Sequence, residues 1–161
     1  MKRWAILFIL GAVFIVFIST DCYGSSSGGA PTAMCYECHQ SPVSADIKIE
    51  GLPKKYIPEK TYTIVITVTS SVKSEGDNKG GFSVEVSGGE LVVMDEKNTQ
   101  ISNSFLTQTA EGVKQRKWKI GWKAPEERKD ITMGVSAIAA NGDYSPNGDG
   151  FARAESTISG R

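Results

Sequence analysis

Apolar and polar side chains alternate with a period of two along several short runs of residues 45–161. The four clearest runs are TYTIVITV at 61–68, GFSVEVSG at 81–88, KWKIGWKAP at 117–125 and ITMGVSAIAA at 131–140. Such alternation is typical of β-strands with one buried face. Four shorter segments also have strand composition: ADIKIEG, ELVVMD, SFLTQT and AESTIS. The pattern therefore predicts an all-β domain.

Turn-forming residues separate these runs, for example at Asn141-Gly142-Asp143, and no stretch carries an apolar stripe at helical spacing. About seven or eight short strands predict an antiparallel two-sheet sandwich of immunoglobulin-like build. Phe82, Trp118, Trp122 and the aliphatic strand faces are the predicted core. Cys35 and Cys38 both precede every predicted strand, so the disulfide of true antibody domains is not expected.

The N-terminus has the pattern of an export signal. Lys2 and Arg3 precede an apolar run from Trp4 to Ile18, which is shorter than the roughly 20 residues that span a bilayer. We predict a signal peptide over 1–24, a flexible segment over 25–44 and the β-sandwich over 45–161. Two alternatives stay open: the leader is retained as a membrane anchor, or Cys22 is lipidated.

Charge excludes some classes of partner. The chain has 18 basic and 18 acidic residues and a formal net charge of +0, with no basic patch that would bind nucleic acid. It contains one histidine, so a nucleophile–histidine–acid set would have to use the histidine of the motif described next. No catalytic residues are assigned.

The segment CYECH at 35–39 brings together Cys35, Cys38 and His39. In covalent haem attachment, two thiols add to the vinyl groups of the porphyrin and the adjacent imidazole binds the iron. This spacing, downstream of an export signal, predicts a covalently bound haem c. Cys35 and Cys38 would hold the porphyrin, and His39 would be the proximal iron ligand.

Other chemistries use the same spacing. A Cys35–Cys38 disulfide would make the motif a local staple, whereas a thioredoxin-like pair normally follows a strand and opens a helix. Zinc would need four ligands, and no second pair of cysteines or histidines remains in the mature chain.

The sixth iron ligand is left open by the sequence. With a single histidine, two histidines of one chain cannot bind the same iron. Met133 or Met94 is a possible sixth ligand, although Met133 also fits a buried strand face. An open iron site is the third possibility, and it would allow a haem sensor or a peroxidase-like enzyme.

The loop at 140–151, ANGDYSPNGDGF, is rich in asparagine and aspartate. Its side-chain oxygens suit calcium, but the same residues are ordinary turn formers. A third interpretation is that the loop borders the haem.

The order of these features resembles a known family. A small-residue Gly29-Ala30-Pro31 segment is followed by CYECH, by a W-x-x-x-W-x-x-P stretch ending at Pro125, and by the loop 141–149. This is similar to the Reeler-like domain called choice-of-anchor V in bacteria and archaea. The resemblance implies an exported, haem-bearing Reeler-like β-sandwich and names no substrate. The C-terminal anchor of that family is not expected to carry over, because the segment STISGR lacks the apolar run of an anchor.

The sequence thus predicts a periplasmic, extracellular or cell-surface protein that transfers single electrons between extracytoplasmic redox proteins through haem c, as a carrier rather than an enzyme. An uncleaved N-terminal segment would attach it to the membrane, and homo-oligomers are possible. The alternative is a cell-surface binding or adhesion module in which Cys35–Cys38 is only a disulfide.

Overall fold

The computed structural model describes residues 31–32, 34–39 and 42–161. The predicted signal peptide, Cys22 and residues 25–30 lie outside these ranges. The described part contains one short helix, α1 (Cys35–Cys38), one 3-10 turn (Gly112–Lys114) and nine strands. The strands are β1 (Ala45–Glu50), β2 (Thr61–Ser70), β3 (Gly80–Val86), β4 (Glu90–Val93), β5 (Thr99–Ser102), β6 (Phe105–Gln108), β7 (Lys117–Lys123), β8 (Ile131–Ala139) and β9 (Gly150–Ile158).

The strands form two antiparallel sheets that pack face to face. The first sheet has the order β1-β2-β7-β4 and the second has the order β5-β6-β3-β8-β9. Every pairing between neighbouring named strands is antiparallel. The predicted all-β, two-sheet sandwich is therefore confirmed.

The core lies between the sheets and contains the predicted aromatic residues. The Phe82 and Trp118 rings stack with centroids 4.7 Å apart, and Trp122 stacks on Tyr62 at 5.8 Å. Each buried indole donates a hydrogen bond: Trp118 Nε1 to Gly112 O at 2.8 Å, and Trp122 Nε1 to Gly88 O at 3.0 Å. Because both N–H groups have acceptors, the large apolar rings are buried without leaving a polar atom unsatisfied.

The strand count differs from the prediction at β5. This strand is the edge of its sheet and pairs only with β6 in the described structure. The segment TQIS contains one apolar residue, Ile101, so its sequence shows no alternation of apolar and polar side chains. In the structure Ile101 is 52% exposed. The last strand is also longer than predicted: Ala152 and Arg153 extend β9 because they pair with Ala137 and Ser136 of β8.

The outer face of the second sheet positions the candidate site. In β3, Phe82 and Val84 point into the core, so Ser83 between them points outward, and it pairs with Ser136 of β8. Both serines are nevertheless buried. The Ser136 hydroxyl donates to Thr32 O at 2.7 Å, which shows that the segment before α1 covers this face.

Candidate functional site

The CxxCH motif folds as a single helical turn. The amide of His39 donates to Cys35 O at 3.1 Å, and the turn is entered through a bond from Met34 N to Pro31 O at 2.9 Å. Residues three and four positions apart share one side of a helix. The backbone therefore places Cys35, Cys38 and His39 on one side of the turn.

The turn lies against β8 and β9 on the outer face of the second sheet. Tyr36 contacts Phe151 with ring centroids 5.7 Å apart, and Ser44, just after the motif, forms a parallel bridge with Phe151. On the other side, the Thr32 hydroxyl donates to the Glu85 carboxylate. These contacts hold the motif on the sandwich, where the sequence predicted only a flexible segment.

His39 meets a buried carboxylate from the other end of the chain. Its Nδ1 atom lies 3.0 Å from Asp149 Oδ2, and the side chains are 20% and 4% exposed. Although the distance is that of an ion pair, no aligned hydrogen bond forms at Nδ1. A small tilt of the imidazole would align its Nδ1 atom with the carboxylate at this distance.

The loop that carries Asp149 is held by its own side chains. Asp143 N donates to Asn141 Oδ1 at 3.0 Å, and Ser145 N donates to Asp143 Oδ1 at 2.7 Å. Asp149 Oδ1 in turn accepts the amide of Asn141 at 2.9 Å. These oxygens serve turn formation, as one of the sequence interpretations held, and the loop also borders the motif through Asp149.

In residues 31–32, 34–39 and 42–161, no three histidine, cysteine, aspartate or glutamate side chains form a group that would hold a metal ion. Calcium at the loop stays a prediction. Haem would need fewer protein ligands, and His39 would be the residue that binds its iron.

The Cys35 side chain faces the sheet. Its Sγ donates to Pro31 O at 3.8 Å. Burial raises the pKa of the Cys35 thiol, and the Glu85 carboxylate adds to this rise, while hydrogen bonds and Arg153 oppose it. A raised pKa keeps the thiol protonated at neutral pH, which is the opposite of an activated redox cysteine.

The two motif cysteines are in different states. Cys35 is a thiol, whereas Cys38 is disulfide-bonded. The partner of Cys38 is therefore not Cys35. The Cys35–Cys38 staple expected for the adhesion alternative does not form in this structure, because only one of the two sulfurs is oxidised.

The candidate sixth ligands lie away from His39. Met133 is fully buried in the core and pairs with Ser156 near the end of β9, whereas Asp149 precedes that strand. At about 3.3 Å per residue, this places Met133 roughly 20 Å along the sheet from Asp149. The structure does not bring Met133 and His39 together.

Met94 lies on the opposite side of the sandwich. Its Sδ accepts a hydrogen bond from Thr63 Oγ1 at 3.6 Å, and it covers Gly121. Thr63 and Gly121 pair across β2 and β7 in the first sheet, where they alternate with core residues and so point outward. Met94 and His39 thus occupy the two outer faces, and the sixth ligand stays unassigned.

The contact between His39 and Asp149 was not predicted from the sequence. The loop was singled out for its asparagines and aspartates, but nothing local indicates which carboxylate reaches the motif. The signal was the turn-rich loop itself.

Within the described residues, no helix is long and apolar enough to cross a membrane.

No protein-family model and no curated protein sequence matches this chain. Solved structures do match it. The Reelin-N domain of F-spondin is 14% identical, with a TM-score of 0.51 over 78% of this chain and 94% of that domain. Fragment 2 of the human F-spondin reeler domain is 15% identical, with a TM-score of 0.50 over 72% and 91% of the two chains. At this identity the likeness concerns the fold alone, and the chain has a Reeler-like β-sandwich fold.

Proposed function

We propose that this protein is an exported mono-haem c-type cytochrome that passes single electrons between extracytoplasmic redox proteins. The observation that carries the proposal is the helical turn of Cys35, Cys38 and His39 with the His39 imidazole beside the buried Asp149 carboxylate. Haem c, when bound, supplies an iron that cycles between the ferric and ferrous states.

The donor set fits this group. Each cysteine would form a thioether by adding its S–H across a vinyl group, so that sulfur bonds to one carbon and hydrogen to the other, with no net oxidation. His39 would supply a nitrogen ligand for the iron. A thioether at Cys38 first requires two-electron reduction of its disulfide, for which a thiol reductant of the export pathway is the co-reactant.

Exposure at the motif supports electron exchange with a partner. Met34 and Tyr36 are 48% and 58% exposed, so the outward side of the turn is open to solvent. A partner protein could therefore approach the motif from this side. Export itself rests on the N-terminal sequence pattern, which lies outside the described residues.

A binding or adhesion module without haem is the second candidate. It is favoured by the oxidised state of Cys38 and by the Thr32, Tyr36 and Ser44 contacts that dock the segment on the sheet. In this case the motif would only secure the N-terminal segment to the sheet.

Expression of the full chain with haem-attachment machinery separates these candidates. We expect wild-type protein to stain for haem on a denaturing gel and to gain the mass of one haem, since thioethers survive denaturation. The double variant Cys35→Ser with Cys38→Ser should lose the stain. Tyr36→Phe is the matched control, because it changes a spacer residue of the motif, keeps the ring beside Phe151 and should retain the stain.

A colourless wild-type protein with intact motif cysteines would reject the cytochrome and leave the binding module. For a coloured protein, the reduced spectrum with and without carbon monoxide distinguishes a carrier from a sensor or enzyme. Rapid uptake of carbon monoxide would indicate an open iron site.

A further inference from the structure

Asp149 is a buried carboxylate whose two oxygens have different surroundings. Oδ1 accepts the amide of Asn141 at 2.9 Å, and Oδ2 faces His39 Nδ1 at 3.0 Å. A carboxylate removed from water is costly unless charged or hydrogen-bonding groups compensate it. The Asn141 amide compensates one oxygen, which leaves Oδ2 directed at the imidazole.

The backbone around Asp149 is held from both sides. Gly150, the next residue, starts β9 and pairs with Ala139 at the end of β8. On the other side, Asn141 Nδ2 donates to Asn147 O at 3.1 Å. The position of the carboxylate is thus set by the end of a strand pair and by the folded loop.

The Arg116 guanidinium adds a positive field. It donates to Lys79 O at 2.8 Å and to Ala140 O at 3.0 Å, and it interacts electrostatically with Asp149. This positive charge and the Asn141 amide together compensate the buried carboxylate. The Asp149 carboxylate is therefore suited to accept a hydrogen bond from a ring nitrogen that carries a proton.

A neutral imidazole carries its proton on one nitrogen and a lone pair on the other. An ionised carboxylate only accepts hydrogen bonds, so the nitrogen that faces it must carry the proton. With Asp149 at Nδ1, the lone pair is on Nε2. In metal sites, an acceptor at the remote nitrogen fixes both the tautomer and the ring orientation.

We propose that Asp149 is a positioning residue that holds His39 with its proton on Nδ1 and its Nε2 lone pair ready for the iron. The inference deepens the proposed function and rests on it for the role of Nε2. It also gives the loop 141–149 a function, which is to deliver one carboxylate to the motif. The tautomer itself is a property of the haem-free protein.

The first test uses haem-free full chain and nitrogen-15 NMR of the imidazole at a pH where the ring is neutral. The chain has one histidine, so the spectrum contains a single pair of ring nitrogens. We expect the proton on Nδ1 in wild type and a shift towards the Nε2–H tautomer in Asp149→Asn. The new amide group can donate to Nδ1, which stabilises the wrong tautomer.

Asp143→Asn is the matched control. Asp143 is an exposed aspartate of the same loop that accepts the Ser145 amide and has no contact with His39 among those described. It should leave the tautomer unchanged. A wild-type ring protonated on Nε2, or an unchanged tautomer in Asp149→Asn, would overturn the inference whether or not haem attaches.

The second test uses haem-loaded protein. A carboxylate at Nδ1 makes the imidazole a stronger electron donor, which stabilises ferric iron. Asp149→Asn should therefore raise the reduction potential relative to wild type, and Asp143→Asn should not. Equal potentials for wild type and Asp149→Asn would contradict the role. Failure of haem attachment in wild type would instead reject the cytochrome and leave the tautomer result standing.

Discussion

At the residue scale, Cys35 shows how packing alters the chemistry of a motif side chain. Sequence reasoning treats both cysteines of CYECH alike, but the structure places Cys35 under the N-terminal segment and against Ser136. Burial disfavours the thiolate and so raises the thiol pKa. Haem attachment at this sulfur would require the segment to open from the sheet.

We predict that Cys35 reacts slowly with iodoacetamide in the native protein. The native rate should rise at a higher pH than the rate of urea-unfolded protein, whose thiol has an ordinary pKa of about 8.5. Mass spectrometry of the Cys35 peptide measures both rates. Equal pH profiles, or a native profile shifted to lower pH, would refute the effect of burial.

The same shift makes stability depend on pH. Since the folded-state pKa of Cys35 is raised, its contribution to stability is present below the unfolded-state pKa. That contribution is lost as the pH rises through the folded-state value. Cys35→Ser should therefore have a flatter alkaline stability profile than wild type.

At the element scale, the connection between β3 and β4 depends on the backbone of Gly89. Its φ angle is +81°, and a Cβ atom there would lie 2.4 Å from Lys123 O and 2.6 Å from Trp122 Nε1. The close approach lets β4 return beside β7 and leaves Gly88 O as the acceptor of the Trp122 indole. A side chain would disturb both features.

We expect Gly89→Ala to lower the free energy of unfolding by about 1–3 kcal/mol, or more if the Trp122 hydrogen bond is also lost. Gly76→Ala is the control, since its nearest neighbour would be Gly142 O at 3.4 Å, an ordinary contact. It should change stability by no more than about 0.5 kcal/mol. Urea unfolding followed by tryptophan fluorescence measures both, and equal effects would contradict the argument.

On the scale of the whole molecule, the two sheets share one core centred on the tryptophans of β7. Trp122 contacts Tyr56 edge-on at 5.6 Å and stacks on Tyr62. Tyr56 in turn holds the connection between β7 and β8. Its hydroxyl donates to Glu127 O at 2.5 Å and accepts a hydrogen bond from the Lys129 amide at 3.1 Å. The core therefore supports the scaffold on which the motif is docked.

Trp122→Ala should cost about 3–5 kcal/mol, a large part of the stability of a typical domain. Ile57→Ala, at a 60% exposed side chain, should cost less than about 1 kcal/mol. Thermal unfolding by circular dichroism measures both variants. A loss below about 1 kcal/mol for Trp122→Ala would mean that the sheets do not depend on this side chain.

Local sequence alone determined most of the strands and the spacing of the motif residues, but not the helical turn that they form. Ile64, Ile66 and Val68 are buried as their alternation predicts, because a period of two is a property of the extended backbone itself. The spacing of Cys35 and Cys38 is local in the same way. These features need no knowledge of distant residues.

Only the tertiary structure decided the edge strand β5, the extension of β9 and the surroundings of the motif. Ile101 is exposed, so β5 shows no alternation of buried side chains, and the strand forms through hairpin pairing with β6 at the edge of the sheet. The contact between His39 and Asp149 arises because the N-terminal segment crosses the sheet where β9 begins. Such proximity depends on how the strands are arranged in space, which the residues adjacent to either partner do not encode.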